Sequence, residues 1–159
     1  MTNEHLLVAT ALAAWKLNIE RTEKLFFDLP AEKLQAEIAP GKNRLIYLWG
    51  HLTAVHDRMI TALSLGERVR PKFDAVFISA PDKTSDLPSA DEIKKAWSEV
   101  NARLLKGFET LTPADWLRKH SAVSDEDFAK EPLRNRYAIL LSRTSHLAYH
   151  LGQAVLALK

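Results

Sequence analysis

The sequence of 159 residues contains no cysteine. This absence excludes disulfide bonds, zinc sites built from thiolates and a cysteine nucleophile. The fold must therefore depend on its own core, and a chain of this length buries roughly 70% of the surface that it exposes when unfolded. We expect one domain spanning residues 1–159. Absence of cysteine also suits a cytoplasmic protein, and we expect that location.

Neither sign of charge is in excess, because 22 lysines and arginines face 20 aspartates and glutamates, for a net charge of +2. A protein that binds nucleic acid needs a broad basic surface, so we expect no such partner. Long uncharged apolar runs are also missing, and the longest candidate, residues 137–158, is interrupted by polar side chains. A membrane span needs about 18 such residues, so we expect no membrane association. The polar Asn3 and Glu4 argue against a signal peptide.

Glycine and proline are scarce, at 5 and 7 residues, and they fall between segments with helical periodicity. In four segments apolar residues recur at spacings of three and four, which indicates amphipathic helices. We predict these helices at residues 3–29, 45–63, 89–108 and from about 133 to the C-terminus. No alternation typical of strands competes with them. The sequence therefore predicts an all-α protein, a four-helix bundle.

Short signals mark the ends of these segments. Gly66 fits the position just after the second helix, where a left-handed residue is common. Ser89 and Glu92 have the spacing of a capping box at the start of the third helix. Thr112 followed by Pro113 predicts a short helical turn.

The longest break, residues 67–88, separates the second helix from the third. Its prolines exclude a continuous helix. Phe73, Phe77 and Ile78 nevertheless predict that the segment packs onto the domain. A connection this long is usually functional or a crossover, and we predict a long crossover between helices 2 and 3. Residues 118–131 are charged, and we predict a surface link there.

His146 and His150 lie four residues apart in the last predicted helix. This spacing puts them on one face, about 6 Å apart, so that both rings can reach one divalent metal ion. The alternative is a chance pair in which each ring bonds to a neighbour. Leu147 follows His146, so the glutamate of an H-E-x-x-H peptidase motif is missing and a zinc peptidase is a poor interpretation.

A third ligand would come from the second helix, which carries two histidines. His51 lies on the flank of the apolar stripe, where a pocket open to substrate is reachable. His56 lies nearer its centre and fits a core histidine. Periodicity alone does not decide between them. We interpret His5 and His120 as ordinary surface residues.

Two stretches resemble a known family. They are residues 43–63, N-R-L-I-Y-L-W-G-H-L-T-A-V-H-D-R-M-I-T-A-L, and residues 146–153, H-L-A-Y-H-L-G-Q. Together they resemble the DinB-like (DinB/YfiT) superfamily of metalloenzymes. The family's second helix carries a histidine in a G-H-L setting, matched by His51, with His56 and Asp57 five and six positions on. Its last helix carries H-x-x-Y-H-x-G-Q, matched from His146 to Gln153.

The resemblance implies a four-helix bundle with a long crossover after the second helix, and a homodimer. It also implies one divalent ion on His51, His146 and His150, which favours His51 over His56. We expect zinc or nickel before iron or manganese. Some relatives are similar to transferases and isomerases that use a low-molecular-weight thiol. The implied function is a metal-dependent, thiol-dependent transferase or a hydrolase acting on a small molecule.

A non-catalytic metal-binding module, with a stress-response or interaction role, is the alternative. A cleft beside the metal lined by Arg143, Gln153 and the connection 67–88 would favour the enzyme, and a metal enclosed by protein ligands would favour the module. Arg143 is placed to meet an anionic substrate or thiol carboxylate, unless it is a plain surface arginine.

Other residues near the motifs have more than one interpretation. Tyr47 could hydrogen-bond a substrate oxygen, but packing in the bundle is favoured, and packing is also expected of Tyr149. Asp57 could orient a ligand ring, although a solvated helix face is favoured. Gly152 is expected to permit close helix packing.

Overall fold

The computed structural model describes residues 2–159, and about two thirds of these residues are helical. The four long helices are α1 (Asn3–Phe26), α3 (Leu45–Ala62), α4 (Ala90–Phe108) and α7 (Arg136–Ala157). Shorter elements are α2 (Ala31–Leu34), a π-helical turn (Ala75–Ser79), α5 (Pro113–Trp116) and α6 (Asp125–Lys130). Between Thr2 and Lys159 there are two isolated β-bridges and no strand. The prediction of an all-α fold with four long helices is confirmed.

Helix α3 is the centre of the arrangement. It packs against both α4 and α7, while α1 packs against α7. Most of its residues are buried, and the core around it includes four fully buried tryptophans, Trp15, Trp49, Trp97 and Trp116. Such rings bury large apolar areas and dominate the energy of a core. Helix α3 is therefore fixed on several sides, which makes it a rigid support for a functional residue.

Side-chain caps at the predicted positions confirm the starts of α4 and α5. Thr2 caps α1. The Ser89–Glu92 capping box is formed at the start of α4, with both reciprocal hydrogen bonds present. Thr112 and Asp115 form a second capping box around α5. Each box satisfies amide groups that a helix start leaves without partners.

The prediction for Gly66 is wrong. Ser64 takes the left-handed conformation after α3, with φ of 58°. The amide of Leu65 donates to the carbonyl of Ile60 at 2.8 Å and that of Ser64 to Thr61 at 3.0 Å, which is a Schellman motif. Serine tolerates this conformation less well than glycine, so the sequence pattern pointed to the nearer glycine instead.

Other boundaries also differ from the predicted ones. The last helix begins at Arg136 after the cap Asn135, rather than near residue 133. The link predicted over residues 118–131 contains the short helix α6, capped by Ser124. Helix α2 was not predicted. Both missed helices have six residues or fewer, too few for a periodic apolar pattern to develop.

The long connection between α3 and α4 is packed, as predicted from its apolar residues. Phe77, in the π-helical turn, is fully buried against α3. Its ring lies over Gly50, where a Cβ atom would come within 2.2 Å of the ring carbons. The absence of a side chain at Gly50 therefore allows the connection to approach the backbone of α3.

A buried carboxylate fastens the same connection. Asp57 is fully buried and accepts hydrogen bonds from the amides of Val69 at 2.7 Å and Arg70 at 3.1 Å. It also accepts one from Nε of Arg68 at 2.9 Å. Both expectations for Asp57, a solvated helix face and a ring-orienting role, are wrong. Its partners all belong to the connection.

Within residues 2–159, no helix combines the length and the apolarity that crossing a bilayer requires.

We predict that Gly50→Ala destabilises the fold. The new methyl group overlaps the Phe77 ring, which is buried and cannot swing away, so overpacking should lower the free energy of unfolding by about 1–3 kcal/mol. Chemical denaturation followed by circular dichroism measures this change.

Gly152→Ala is the matched control, since no atom lies within 4 Å of a Cβ atom built there. Alanine is preferred over glycine inside a helix by about 0.5–1 kcal/mol, so this variant should be as stable as the wild type or more stable. Equal stabilities for the two variants would contradict the packing argument.

Candidate metal centre

Three histidines from two helices converge at one point. His51 comes from the middle of α3, and His146 and His150 lie one turn apart on α7. The Nε2 atom of His146 lies 3.4 Å from Nε2 of His51 and 3.1 Å from Nε2 of His150. One nitrogen of each ring lies within 4.8 Å of the other two. The structure thus brings together three side chains that are 95 and 4 positions apart in sequence.

These separations suit ligands of one ion. Histidine nitrogens bind zinc at about 2.0–2.1 Å. At that bond length, two ligands lie about 3.4 Å apart at a tetrahedral angle and about 3.0 Å apart at a right angle. The observed nitrogen distances of 3.4 Å and 3.1 Å fall in this range. The cluster is therefore compatible with metal binding.

The ring of His51 is held by a backbone carbonyl. Its Nδ1 atom lies 2.9 Å from the carbonyl oxygen of Phe77. Because a carbonyl can only accept, Nδ1 carries the proton and Nε2 presents its lone pair to the cluster. Metal-binding histidines commonly have their second nitrogen fixed in this way. The π-helical turn thus supplies one atom that orients the site.

The ring of His150 is held within its own helix. Its Nδ1 atom lies 2.7 Å from Oε1 of Gln153, one turn further along α7. The amide oxygen accepts the proton of Nδ1, so Nε2 of His150 also presents a lone pair. Gln153 therefore contacts the site through a ligand ring. Nδ1 of His146 is buried without a hydrogen-bond partner in the described part of the chain.

Burial favours the neutral form of all three rings. Burial is the main cause that lowers the pKa of each, and for His146 the pKa falls to about 4. His150, His51 and Arg143 lower the pKa of His146 further, and the positive charges of Arg143 and Arg58 also lower the pKa of His51. Neutral imidazole is the form that binds metal ions. The cluster is thus ready to accept a cation without first losing protons.

His56 is the core histidine of α3. Its ring is fully buried, with centroids 4.5 Å from Trp15 and 5.0 Å from Trp97. Nδ1 donates to Oδ1 of Asn101 at 2.9 Å, and burial lowers the pKa of His56 to about 3. The flank position of His51 and the central position of His56 are as predicted.

The remaining histidines lie outside the cluster. His5 is exposed and contacts Thr2, as expected of a surface residue. His120 is half-buried, with an Nδ1 atom that has no partner in the described chain, so its interpretation as an ordinary surface residue is wrong.

A cleft of about 260 Å³ opens beside His51 and His146. Two arginines, Arg58 and Arg143, line it together with an apolar wall. The wall consists of Val55, Met59, Ala62, Ile78 and Ile139. Ile78 belongs to the long connection, so this connection and Arg143, two of the three elements that the enzyme interpretation expected, line the cleft. Gln153 is not part of the lining.

Three neighbouring residues have structural roles or none. The hydroxyl of Tyr47 donates to the carbonyl of Ala80 at 2.8 Å, so this residue packs under the connection. Tyr149 is 63% exposed, which contradicts the expected packing. Gly152 faces open space, so it does not permit a close helix contact.

Sequence reasoning missed the residues that orient His51. Phe77 acts through its backbone carbonyl, which leaves no mark on residue identity. The available signal was indirect. Gly50 lies inside a strongly apolar helix, and a glycine at such a position indicates that another segment approaches the backbone closely.

Comparison with known proteins adds a family to this geometry. A family model described as the DinB superfamily matches residues 14–154, a range that includes both helices of the cluster. No curated protein matches the chain. Since the matched range covers most of the 159 residues, the chain belongs to the DinB superfamily.

Proposed function

We propose that this protein is a metal-dependent transferase or hydrolase that binds one divalent ion through His51, His146 and His150. The observation that carries the proposal is the convergence of the three Nε2 atoms. Two of these atoms must present lone pairs, because the protons of their rings are donated to Phe77 and Gln153. A divalent cation bound by both lone pairs would hold the rings in this arrangement.

Zinc or nickel fits the donors better than manganese does. Imidazole nitrogens suit zinc, nickel, copper and iron, whereas manganese prefers carboxylate and water oxygens. The cluster contains no carboxylate among the described residues. When bound, an ion held by three histidines keeps open positions, at which it acidifies a water or a thiol or polarises an anion.

The protein groups have separable tasks in this proposal. The three histidines hold the ion, and the carbonyl of Phe77 and the amide of Gln153 keep two of the rings turned toward it. The apolar wall of the cleft shields one side of a bound molecule from water. Fixed groups of this kind place a reacting molecule without any further rearrangement.

The cleft favours an enzyme over a non-catalytic module. His51 and His146 both line it, so a small molecule in the cleft would lie against two of the proposed ligands. A purely structural ion would be enclosed by protein on all sides. A low-molecular-weight thiol remains the proposed cosubstrate, and the reaction class is a proposal drawn from family resemblance.

We predict that His146→Ala or His150→Ala removes the bound ion. Affinity should fall by more than about 100-fold, because loss of even an outer hydrogen-bond partner of a ligand costs about 10–100-fold. Elemental analysis of purified protein after dialysis against zinc or nickel measures the metal content per chain.

His120→Ala is the matched control, because this half-buried histidine lies outside the cluster. It should retain the metal content of the wild type. Retention of one ion per chain by both cluster variants would disprove the proposed centre.

We predict that activity depends on the ion. An assay that follows thiol addition to a small electrophile, and ester hydrolysis in parallel, should lose its signal with a chelator and regain it with zinc or nickel. His120→Ala should behave as the wild type and His146→Ala as the chelated protein.

A requirement for the thiol would identify a transferase, and turnover without thiol a hydrolase. Turnover that persists in His146→Ala with chelator present would show that the reaction does not depend on the proposed metal centre.

We also propose a homodimer. Exposed apolar side chains on α1 and α7, which pack against each other, support it, among them Leu7 at 64% exposed and Leu156 at 69% exposed. Contiguous exposed apolar surface marks interfaces, and we propose that the α1–α7 face supplies it. Sedimentation equilibrium should give about twice the chain mass of 18.0 kDa. A monomer at all concentrations would reject the proposal.

A further inference from the structure

The cleft beside the three histidines has an uneven charge. Its lining contains two arginines and no carboxylate from residues 2–159. Arg58 is neutralised, because its guanidinium binds Asp74 at 2.8–2.9 Å. Asp74 in turn binds Arg68, which also pairs with the buried Asp57. These two arginines and two aspartates form a closed network with no net charge.

Arg143 lies outside this network. It is half-buried, one turn before His146 on α7, and it forms no salt bridge with the carboxylates of the described chain. Arg143 lines the cleft together with His146. A partly buried positive charge without a counter-ion is unfavourable, and a bound anion relieves it. Beside a divalent ion the same charge makes the cleft still more attractive to anions.

The rest of the cleft is apolar. Five aliphatic or methionine side chains from α3, the connection and α7 form its wall, including Met59, Ile78 and Ile139. A volume of about 260 Å³ accommodates a small molecule. The cleft therefore offers one site for a negative group and one surface for a hydrocarbon chain.

We propose that the cleft takes a small aliphatic carboxylic acid, bound by Arg143 through its carboxylate and by the apolar wall through its chain. This inference rests on the proposed metal-dependent function, since it places the acid next to His51 and His146. The planar guanidinium binds a carboxylate through two parallel hydrogen bonds, which a lysine cannot reproduce. Arg143 would thus determine which small molecules reach the ion.

The test is isothermal titration of zinc-loaded full-length protein with hexanoate, butanoate, hexanamide and inorganic phosphate. Hexanoate should bind, and hexanamide, which has the same chain without the charge, should bind at least about tenfold more weakly. Each buried methylene tightens binding by about fourfold, so butanoate should be weaker than hexanoate by more than tenfold. Phosphate should be weak because it has no chain.

Three variants assign the effect to Arg143. Arg143→Gln should weaken hexanoate binding at least about tenfold and leave hexanamide binding unchanged. The hexanoate affinity of Arg143→Lys should lie between those of Arg143→Gln and the wild type, because lysine keeps the charge but cannot form two parallel hydrogen bonds. Arg21→Gln, at an exposed position on α1 away from the cleft, should bind as the wild type does.

Zinc content, measured on each sample before titration, separates the two proposals. If the wild-type protein binds no zinc, the proposed function is overturned and this inference with it. Zinc-loaded Arg143→Gln that binds hexanoate as tightly as the wild type would overturn the inference alone. So would equal affinities for hexanoate and hexanamide, phosphate binding as tight as hexanoate binding, or no hexanoate binding by zinc-loaded wild type.

Discussion

The hydrogen bond from Nδ1 of His51 to the carbonyl of Phe77 is the contact on which the centre depends. It decides which nitrogen of the ring carries the proton and directs the bare one toward His146. The contact exists only because the connection comes close to α3, and Gly50 provides the space for that approach. The absence of a side chain at Gly50 thus determines the tautomer of His51, and with it the ability of the cluster to bind a cation.

The connection is held at a second point by charge. Asp57 is buried, yet it is stable there because two backbone amides and Arg68 satisfy its oxygens. Removing one partner from such a network leaves a buried charge unpaired, which is strongly unfavourable. The connection is therefore held rigidly against α3 although it contains little regular structure. A neighbouring ion pair with Asp74 compensates Arg58, so the uncompensated positive charge of the cleft is that of Arg143.

The sequence predicted the long helices well because their apolar residues repeat over four or more turns, and the packing of α3, α4 and α7 obeys that repeat. It also placed His51 on a flank and His56 in the core, since both positions follow from the same repeat. Backbone contacts leave no such pattern. The carbonyl of Phe77 could belong to any residue, and the burial of Asp57 comes from amides of a segment without periodicity.

Two parts of the chain thus carry different properties of the site. The helices α3 and α7 set the distances between the three rings, and both helices also pack against other long helices of the fold. The connection fixes the ring of His51 through Phe77 and, one residue later, lines the cleft through Ile78. Side-chain changes near Ile78 would reshape the space for a bound molecule without touching the backbone carbonyl that orients the ligand. Within the connection, the side chain that lines the cleft can therefore change independently of the carbonyl that orients His51, because one contact is made by a side chain and the other by a backbone atom.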